Sequence, residues 1–451
     1  MMKDRVEVFW DKYSQNGAAL WTRPLNLEGS DPGFVFFSRE VGSSPLTKCL
    51  LQPLLEPCMS LSKDKPNVVV YHNDLLPLST TFIRTQVGAL ASFHAGFAGL
   101  LPSHGRSLDL NLSFGPILLT KDHGLRSRVV RWIYKRTRYL GGRFYKRLRA
   151  HNPALIHAHF ALDGVFALRV ANELNIPLIT TLHGFDVTVR GDVFAKSIKG
   201  RIYLRHRERL WGECSKFFCS CDYIKQRAEA LGYPRDKLET LYSGHDFARF
   251  NIAPTVRNKN LILYVGRLIE KKGCSYLIRT AALVMKECPS LELVIIGEGP
   301  LSEELKTLAK ELKVKCRFLG NLAQPTPGNT VFDWMSKARV FCMPSVTAEN
   351  GDTEGQPAVF VEAHALGLPA VSFQTAGIGE VVLHGETGLL APEKNTVELA
   401  AALVRLLRDD KLWNKFSDRA PEWVRERFDI RKLNNQLEKA YSEVIQRPHS
   451  A

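Results

Sequence analysis

Residues 261–273 read LILYVGRLIEKKG, and the fold follows from them. Leu261, Ile262, Leu263, Tyr264 and Val265 run without a charged break and stop at Gly266, the pattern of a short strand buried on both faces. Arg267 and Lys272 come next, in the loop at the strand's carboxyl end, before Gly273. Downstream the pattern repeats as LELVIIG (291–297), VKCRFLG (314–320), RVFCMPS (339–345) and LPAVSF (368–373), with helical stretches between. Upstream, NVVVY (67–71), ALIHA (154–158), IPLITT (176–181) and KFFCS (216–220) form another series, and the Pro- and Asn-containing segment between Asp246 and Asn260 separates the two. The predicted fold is α/β: two doubly wound, Rossmann-like domains facing across a cleft, with ligand sites at the carboxyl ends of the strands.

The expected divisions are a leader of unassigned structure at 1–65, a first domain at 66–248, a second at 249–425, and a closing helix and tail at 426–451 that pack back on the first domain. Residues 81–100 are read as a helix. The apolar run within 87–101, at about 15 residues, is short of the roughly 18–20 that cross a bilayer and is read as a buried helix. Residues 411–444 are read as amphipathic packing helix, with Trp413, Phe416, Trp423, Val424, Phe428, Leu433, Leu437 and Tyr441 on its apolar side.

Composition narrows the class. The 451 residues suffice for two or three domains, and 45% hydrophobic with 24% charged residues is ordinary globular usage, against disorder or a fibrous repeat. The 61 Lys and Arg exceed the 46 Asp and Glu by 15, which calls for a polyanionic partner: nucleic acid, an anionic membrane, or phosphorylated small substrates. Nine scattered cysteines, with no Cys-x-x-Cys pair and no histidines at zinc spacing, read as reduced thiols. The first residues, MMKDRVEVFWDKYSQNG, put acids and polar groups where a signal peptide needs an apolar run, so the expected location is cytoplasmic.

Chemistry concentrates in three places. In DTEGQPAVFVEAHALGLPA (352–370), Pro357 opens a helix that Gly367 and Pro369 close. Glu354 then lies in the loop before the helix and Glu362 inside it. Gly355 leaves the N–H groups of Ala358 and Val359 open to a phosphate-sized anion, and ionised carboxylates beside it suit sugar hydroxyls. The plainer alternative makes Glu354 a cap and Glu362 a solvated position. The second place is the loop from Gly266 to Gly273, where Arg267 offers a planar fork and Lys272 a point charge to a diphosphate. The third is His183-Gly184-Phe185-Asp186, at the end of a first-domain strand and so across the cleft, although a lone histidine there is also compatible with a structural role. GEGP (297–300) lacks the third glycine of a dinucleotide fingerprint, leaving a turn where backbone meets a base.

Taken in order, these motifs resemble glycosyltransferase family 4, the retaining nucleotide-sugar transferases of GT-B fold, over roughly residues 67–445. The carriers are Glu354-x7-Glu362 followed by Ala-x-x-x-Gly-x-Pro, the Gly266-Arg267-x4-Lys272-Gly273 loop, and the Gly-x-Gly-Pro turn at Gly297. Tyr242-Ser243-Gly244-His245-Asp246 stands where the family has Asn-Gly-x-Asp. His157-Ala158-His159-Phe160, His183-Gly184-Phe185-Asp186 and PSVTAENGDTEGQP are similar to exopolysaccharide transferases of the colanic acid type.

The resemblance implies that Arg267 and Lys272 hold the donor diphosphate in place of a metal. It implies that Glu362 binds the ribose, Glu354 the transferred sugar, and Gly266, Gly355, Ala358 and Val359 the phosphate surroundings. Gly297, Glu298 and backbone near Leu319 would take the base. His183 would approach the sugar from the first domain, with His159, Asp186 and Thr80 on the acceptor side. It further implies a UDP- or GDP-sugar co-substrate, no metal or other cofactor, a glycan or lipid-linked acceptor, and a role in cell-surface polysaccharide synthesis. In place of the family's glycine-rich loop after the first strand stands Leu78-Ser79-Thr80-Thr81-Phe82-Ile83, similar to the exopolysaccharide subgroup's Ser-Glu-Thr-Phe-Ile with Thr80 for Glu.

Two other classes compete. A nucleic-acid binder fits the charge, but no helix-turn-helix, zinc, RRM or KH signature is present. A sugar-nucleotide epimerase or a phosphorylase shares the GT-B fold without this pair of motifs. Between Arg126 and Arg149 stand ten Lys or Arg and no acid, interleaved with aromatic and aliphatic residues. With Gly141-Gly142 as a break this reads as two short helices suited to the inner face of an anionic membrane, each cation adding about 1 kcal/mol. The alternative is a solvated face whose apolar residues are core.

Overall fold

A computed structural model describes residues 65–447, apart from 76–80, 103–111, 121, 123, 252–254 and 323–327. The expected leader at 1–65, save Lys65, lies outside the described residues, as do Thr80, Cys49 and Cys58. Residues 62–451 form one compact unit.

Its first sheet is built from β1 (Asn67–Tyr71), β3 (His94–Gly99), β5 (Phe114–Leu118), β6 (Pro153–His159), β7 (Leu178–Leu182), β8 (Lys216–Cys219) and β9 (Leu238–Thr240), with β2 (Asp74–Leu75) and β4 (Leu101–Pro102) pairing separately beside it. All seven strands are parallel, in the order β5-β3-β1-β6-β7-β8-β9. The second sheet comprises β10 (Leu261–Val265), β11 (Glu292–Ile296), β12 (Cys316–Phe318), β13 (Val340–Cys342), β14 (Ala370–Gln374) and β15 (Gly388–Pro392), ordered β12-β11-β10-β13-β14-β15. Both orders reverse direction beside their first strand, between β1 and β6 and between β10 and β13. Such a reversal opens a crevice at the carboxyl ends, because the loops on either side depart to opposite faces.

The central strands are largely apolar because helices cover both faces. Val68, Val69 and Val70 of β1 and Ile262, Leu263 and Tyr264 of β10 are buried. Helices Ala161–Leu174 and Cys274–Glu287 bury Val165, Phe166 and Val170, and Leu277, Ile278 and Ala281, against them.

The structure departs from the sequence reading at several elements. Helix Thr81–Gly88 is short, and the apolar run expected to be helical contains strand β3 instead. Its sequence, HAGFAG, is small and buried on both faces between β1 and β5, so neither a period of two nor one of 3.6 marks it. Pro357 is the residue before helix Ala358–Ala365 rather than its first residue. The closing helical region is broken in two, Asp410–Phe428 and Ile430–Gln446, at Asp429, whose carboxylate accepts from the N–H groups of Arg431 (2.8 Å) and Lys432 (3.3 Å).

Helix Asp410–Phe428 packs on helix Ala358–Ala365 of the second domain, while helix Ile430–Gln446 crosses to the first. There Tyr441 OH lies 2.6 Å from His157 Nδ1. Glu438 accepts from the N–H groups of Ala91 (2.6 Å) and Ser92 (2.7 Å), and Asn434 donates to the Gln86 carbonyl (2.8 Å). Leu437, Tyr441 and Val444 are buried in the contact, each worth about 1.5–3 kcal/mol.

Residues 126–149 form helices Leu125–Thr137 and Gly142–Arg149, joined through Gly141. Their apolar residues divide. Tyr134, Leu140, Phe144, Tyr145 and Leu148 are core, with Tyr134 OH 2.5 Å from Tyr71 OH, whereas Leu125 (76%), Val129 (49%), Trp132 (52%), Ile133 (44%) and Tyr139 (46%) face solvent.

Candidate functional site

The loop after β10 and the segment after β13 flank the second sheet's reversal. A 3-10 turn, Glu270–Lys272, folds the first loop back, and Val346 N–H donates to the Lys271 carbonyl (2.9 Å), tying the two together. Two ion pairs result. Lys272 Nζ is 3.0 Å from Glu354 Oε1, with the side chains 15% and 8% exposed, and Lys271 Nζ is 3.0 Å from Asp352 Oδ1. Burial opposes a charge on Glu354, but Lys272, Lys271 and Arg267 outweigh it and hold the carboxyl below its usual range. Arg267 is exposed and forms no ion pair among the described residues, so the site keeps an uncompensated cation at its mouth.

Helix Ala358–Ala365 begins a few residues beyond Glu354. The N–H groups of Ala358 and Val359 have no hydrogen-bond partner among the described residues, as the first donors of any helix have none within it, and donors so placed can receive an anion. Glu362 lies one turn further along, half-buried, and burial raises its carboxyl to about 7, with Arg249 acting weakly in the opposite sense.

The turn after β11 closes another side. Gly297, at φ +138°, crosses Gly266 so closely that a methyl group there would stand 2.0 Å from the Gly266 carbonyl oxygen. Leu268 N–H donates to the Glu298 carbonyl (2.9 Å), and Glu298 Oε1 accepts from Asn321 N–H (3.3 Å). Leu319 spends its N–H on Ile295 (2.9 Å) in the ladder, leaving its carbonyl as the group it can offer.

The first domain supplies the opposite wall from the ends of β6 and β7. Gly355 is pressed against the His183 turn: a methyl group on it would lie 2.8 Å from the His183 carbonyl oxygen. The His183 ring packs on Phe82 (centroids 4.9 Å) and Phe160 (4.7 Å), and its Nε2 is 3.0 Å from His159 Nδ1. Burial, with His157 and His72 adding to it, lowers His183 to about 3, so the imidazole is neutral. Asp186 is buried and spends its carboxylate on backbone, accepting from Ala161 N–H (2.6 Å) and His183 N–H (3.0 Å). It thereby shapes the turn that presents His183 and does not touch the imidazole. Burial raises it to about 7 against those two donors.

Arg267, Lys272, Glu354, Gly355, Ala358, Val359 and Glu362 thus lie on the loops and the helix that flank one crevice. Gly266, Gly297, Glu298 and Leu319 form its neighbouring turn, and His183 meets it from across. His159 is 1% exposed and stands behind His183 rather than at the acceptor surface. Thr80 lies outside the described residues. Residues without a sequence signal also take part. Glu380 crosses between domains to accept from the N–H groups of Asp222 and Tyr223 (2.8 Å each) and from Tyr242 OH (2.7 Å). Gln356 exchanges hydrogen bonds with the backbone of Ser243 (2.6 and 3.0 Å), and Arg190 reaches the Glu349 carbonyl (2.7 Å).

Comparisons with known proteins bear on the family and the fold. The profile described as "Glycosyl transferases group 1" matches residues 259–409, and that of "Glycosyltransferase Family 4" matches residues 116–249. The chain is 31% identical over 257 residues to the amylovoran biosynthesis glycosyltransferase AmsK of Erwinia amylovora, covering 55% of this chain and 60% of that one. It is 30% identical over 286 residues to the putative colanic acid biosynthesis glycosyltransferase WcaL of Salmonella typhimurium, covering 62% of this chain and 68% of that one. The aligned stretches therefore span about two thirds or less of these relatives' own lengths. Among solved structures, Anabaena HepE in complex with UDP superposes with a TM-score of 0.67 at 17% identity, over 84% of this chain and 100% of that one. Two Rossmann-like domains meeting at their reversal points, with both family profiles matched in order, place the chain in glycosyltransferase family 4, with a GT-B fold.

Proposed function

We propose that the protein is a retaining glycosyltransferase that moves a sugar from a UDP- or GDP-sugar to a glycan or lipid-linked oligosaccharide, in the synthesis of an exopolysaccharide or another cell-surface polysaccharide. The observation that carries this reading is the Lys272–Glu354 pair, seated between Arg267 and the free N–H groups of helix Ala358–Ala365 and faced by the His183 turn. The names of the amylovoran and colanic acid relatives support the pathway class, and the complexes of HepE with UDP and with UDP-glucose support the donor class.

In this reading Arg267, Lys272 and the helix N–H groups receive the diphosphate and stabilise the charge that grows on it as the glycosidic bond to the sugar breaks. Ionised Glu354 accepts from hydroxyls of the sugar, Glu362 from those of the ribose, and the turn of Gly297 and Glu298 with the Leu319 carbonyl meets the base. The departing phosphate oxygen takes the acceptor's proton on the face it leaves, so the new bond forms there and the anomeric configuration is kept. A screen of UDP- and GDP-sugars for nucleotide release, with the product's configuration read by NMR, tests the proposal. Acceptor-dependent release with retention is expected. An inverted product overturns the mechanism, and salt-sensitive DNA binding without turnover overturns the function.

The acceptor side adds a membrane surface to the proposal. On helix Leu125–Thr137 the exposed Leu125, Val129, Trp132 and Ile133 recur at helical spacing on one face, flanked by Arg126, Arg128, Arg131 and Arg136. That pairing suits the headgroup region of an anionic bilayer on the cytoplasmic side. No described helix is long and apolar enough to cross a membrane.

A further inference from the structure

The His183 ring is held from behind by a second histidine. His159 ends β6, and its ring is inclined to that of His183 by only 16°, with centroids 5.2 Å apart. The 3.0 Å between His159 Nδ1 and His183 Nε2 falls short of the centroid separation by about the two centroid-to-nitrogen distances. The rings therefore lie edge to edge in nearly one plane, the geometry of an N–H···N hydrogen bond rather than a face-to-face stack.

Burial keeps both imidazoles neutral, so each has one donor nitrogen and one acceptor nitrogen. Two proton arrangements satisfy the contact. In the first, His159 donates from Nδ1, His183 accepts at Nε2, and the His183 proton sits on Nδ1. In the second, His183 donates from Nε2 and the His159 proton moves to its own Nε2. That atom is buried with no hydrogen-bond partner among the described residues. An orphaned buried N–H is rare and costly, whereas an unfilled lone pair in the same place is tolerated more readily. The first arrangement is the stable one. His157 closes the other side of His159, with centroids 4.5 Å apart, and is itself pinned by Tyr441 OH (2.6 Å) and Thr181 Oγ1 (2.7 Å), so the His159 ring is confined.

We propose that His159 is a positioning residue: by donating from Nδ1 to Nε2 of His183 it fixes His183 as the Nδ1–H tautomer, so that His183 offers a donor, not a lone pair, to a hydroxyl oxygen of the transferred sugar. Naming that hydroxyl rests on the nucleotide-sugar reading above, while the tautomer does not.

The test labels the histidines of the full chain with 15N and records two-bond 1H–15N correlations, assigning His183 by the signals that vanish in His183→Gln. His183 is expected to be protonated at Nδ1 in the wild type and in His159→Asn, whose amide nitrogen donates from a similar place. In His159→Asp an acceptor takes that place and the His183 proton moves to Nε2. With UDP-glucose as the donor probe, kcat falls about 10-fold or more in the Asp variant, stays within about 3-fold in the Asn variant, and KM is unchanged in both. Protonation of wild-type His183 at Nε2, or an unchanged tautomer in His159→Asp, overturns the proposal. The wild-type spectrum decides the tautomer even if a variant fails to fold. The expected tautomers with no turnover of any UDP- or GDP-sugar would uphold the assignment and overturn the donor reading instead.

Discussion

At single residues the site is a charge balance. Lys272→Ala would leave Glu354 buried with its nearest counter-charge gone, costing about 3 kcal/mol in denaturant unfolding. It would also lower kcat/KM about 100-fold through the lost diphosphate contact. Combining Lys272→Met with Glu354→Gln should restore the stability and not the turnover, which separates the two roles. Glu362 gives a pH signature. Its folded value near 7 lies above that of an unfolded glutamate, so it weakens the fold progressively as pH rises from the ordinary carboxyl range through 7. Glu362→Gln is expected to melt above the wild type at pH 8 and with it at pH 4. Asp186, raised in the same direction, is present in both proteins and cancels. Because ribose hydroxyls favour the ionised carboxyl, UDP binding near pH 6.5 should release a proton from the wild type and not from the variant, as calorimetry in two buffers would show. The two glutamates and the two cations were legible in the sequence because short local motifs carry them. Their pairing was not, since Lys272 and Glu354 meet only through the sheet reversal. Nor was the burial of His159, which depends on His157 and on Tyr441 of a distant helix.

At the scale of elements, strands built as short runs of large apolar residues, such as NVVVY (67–71) and LILYV (261–265), announced themselves, and a strand without such a run did not. Strand β3 was hidden by its small residues, and the break at Asp429 by the apolar pattern that continues through it. Residues 126–149 were legible as two helices, but sequence could not divide their apolar side chains between core and surface, because adjacent Ile133 and Tyr134, about 100° apart around the helix, fall one on the exposed face and one in the core. That division yields a prediction. Arg128→Ala with Arg143→Ala removes two cations worth about 1 kcal/mol each near anionic lipid and should weaken flotation with phosphatidylglycerol vesicles about 30-fold. Trp132→Glu should do likewise without lowering the melting temperature, since the side chain is 52% exposed. Binding unaffected by either change would remove the membrane surface from the proposal.

For the whole molecule, the seam between domains decides whether the crevice is assembled. Glu380 binds the first N–H groups of helix Asp222–Ala230 and the Tyr242 hydroxyl, to which Arg427 adds a further hydrogen bond (2.8 Å). A charged hydrogen bond is worth about 1.5–3 kcal/mol, so Glu380→Ala should speed amide exchange at Asp222 and Tyr223 roughly 10- to 100-fold. Unchanged exchange would show that the seam is held elsewhere. No motif points to Glu380, because it acts on backbone that comes from the other domain. The fastening of helix Ile430–Gln446 to the first sheet has a different consequence, one of timing. Glu438 caps Ala91 across a separation of 347 residues, so at about 5–20 residues per second the ribosome spends roughly 20–70 s between making the first partner and making the second. Throughout that interval the face that will receive Leu437 and Tyr441 is exposed on a nascent first domain that cannot finish its core. Yield in the cell should therefore depend on chaperones that shield apolar surface during synthesis, and late truncations that spare every residue of the crevice should still behave as folding mutants of the domain made first.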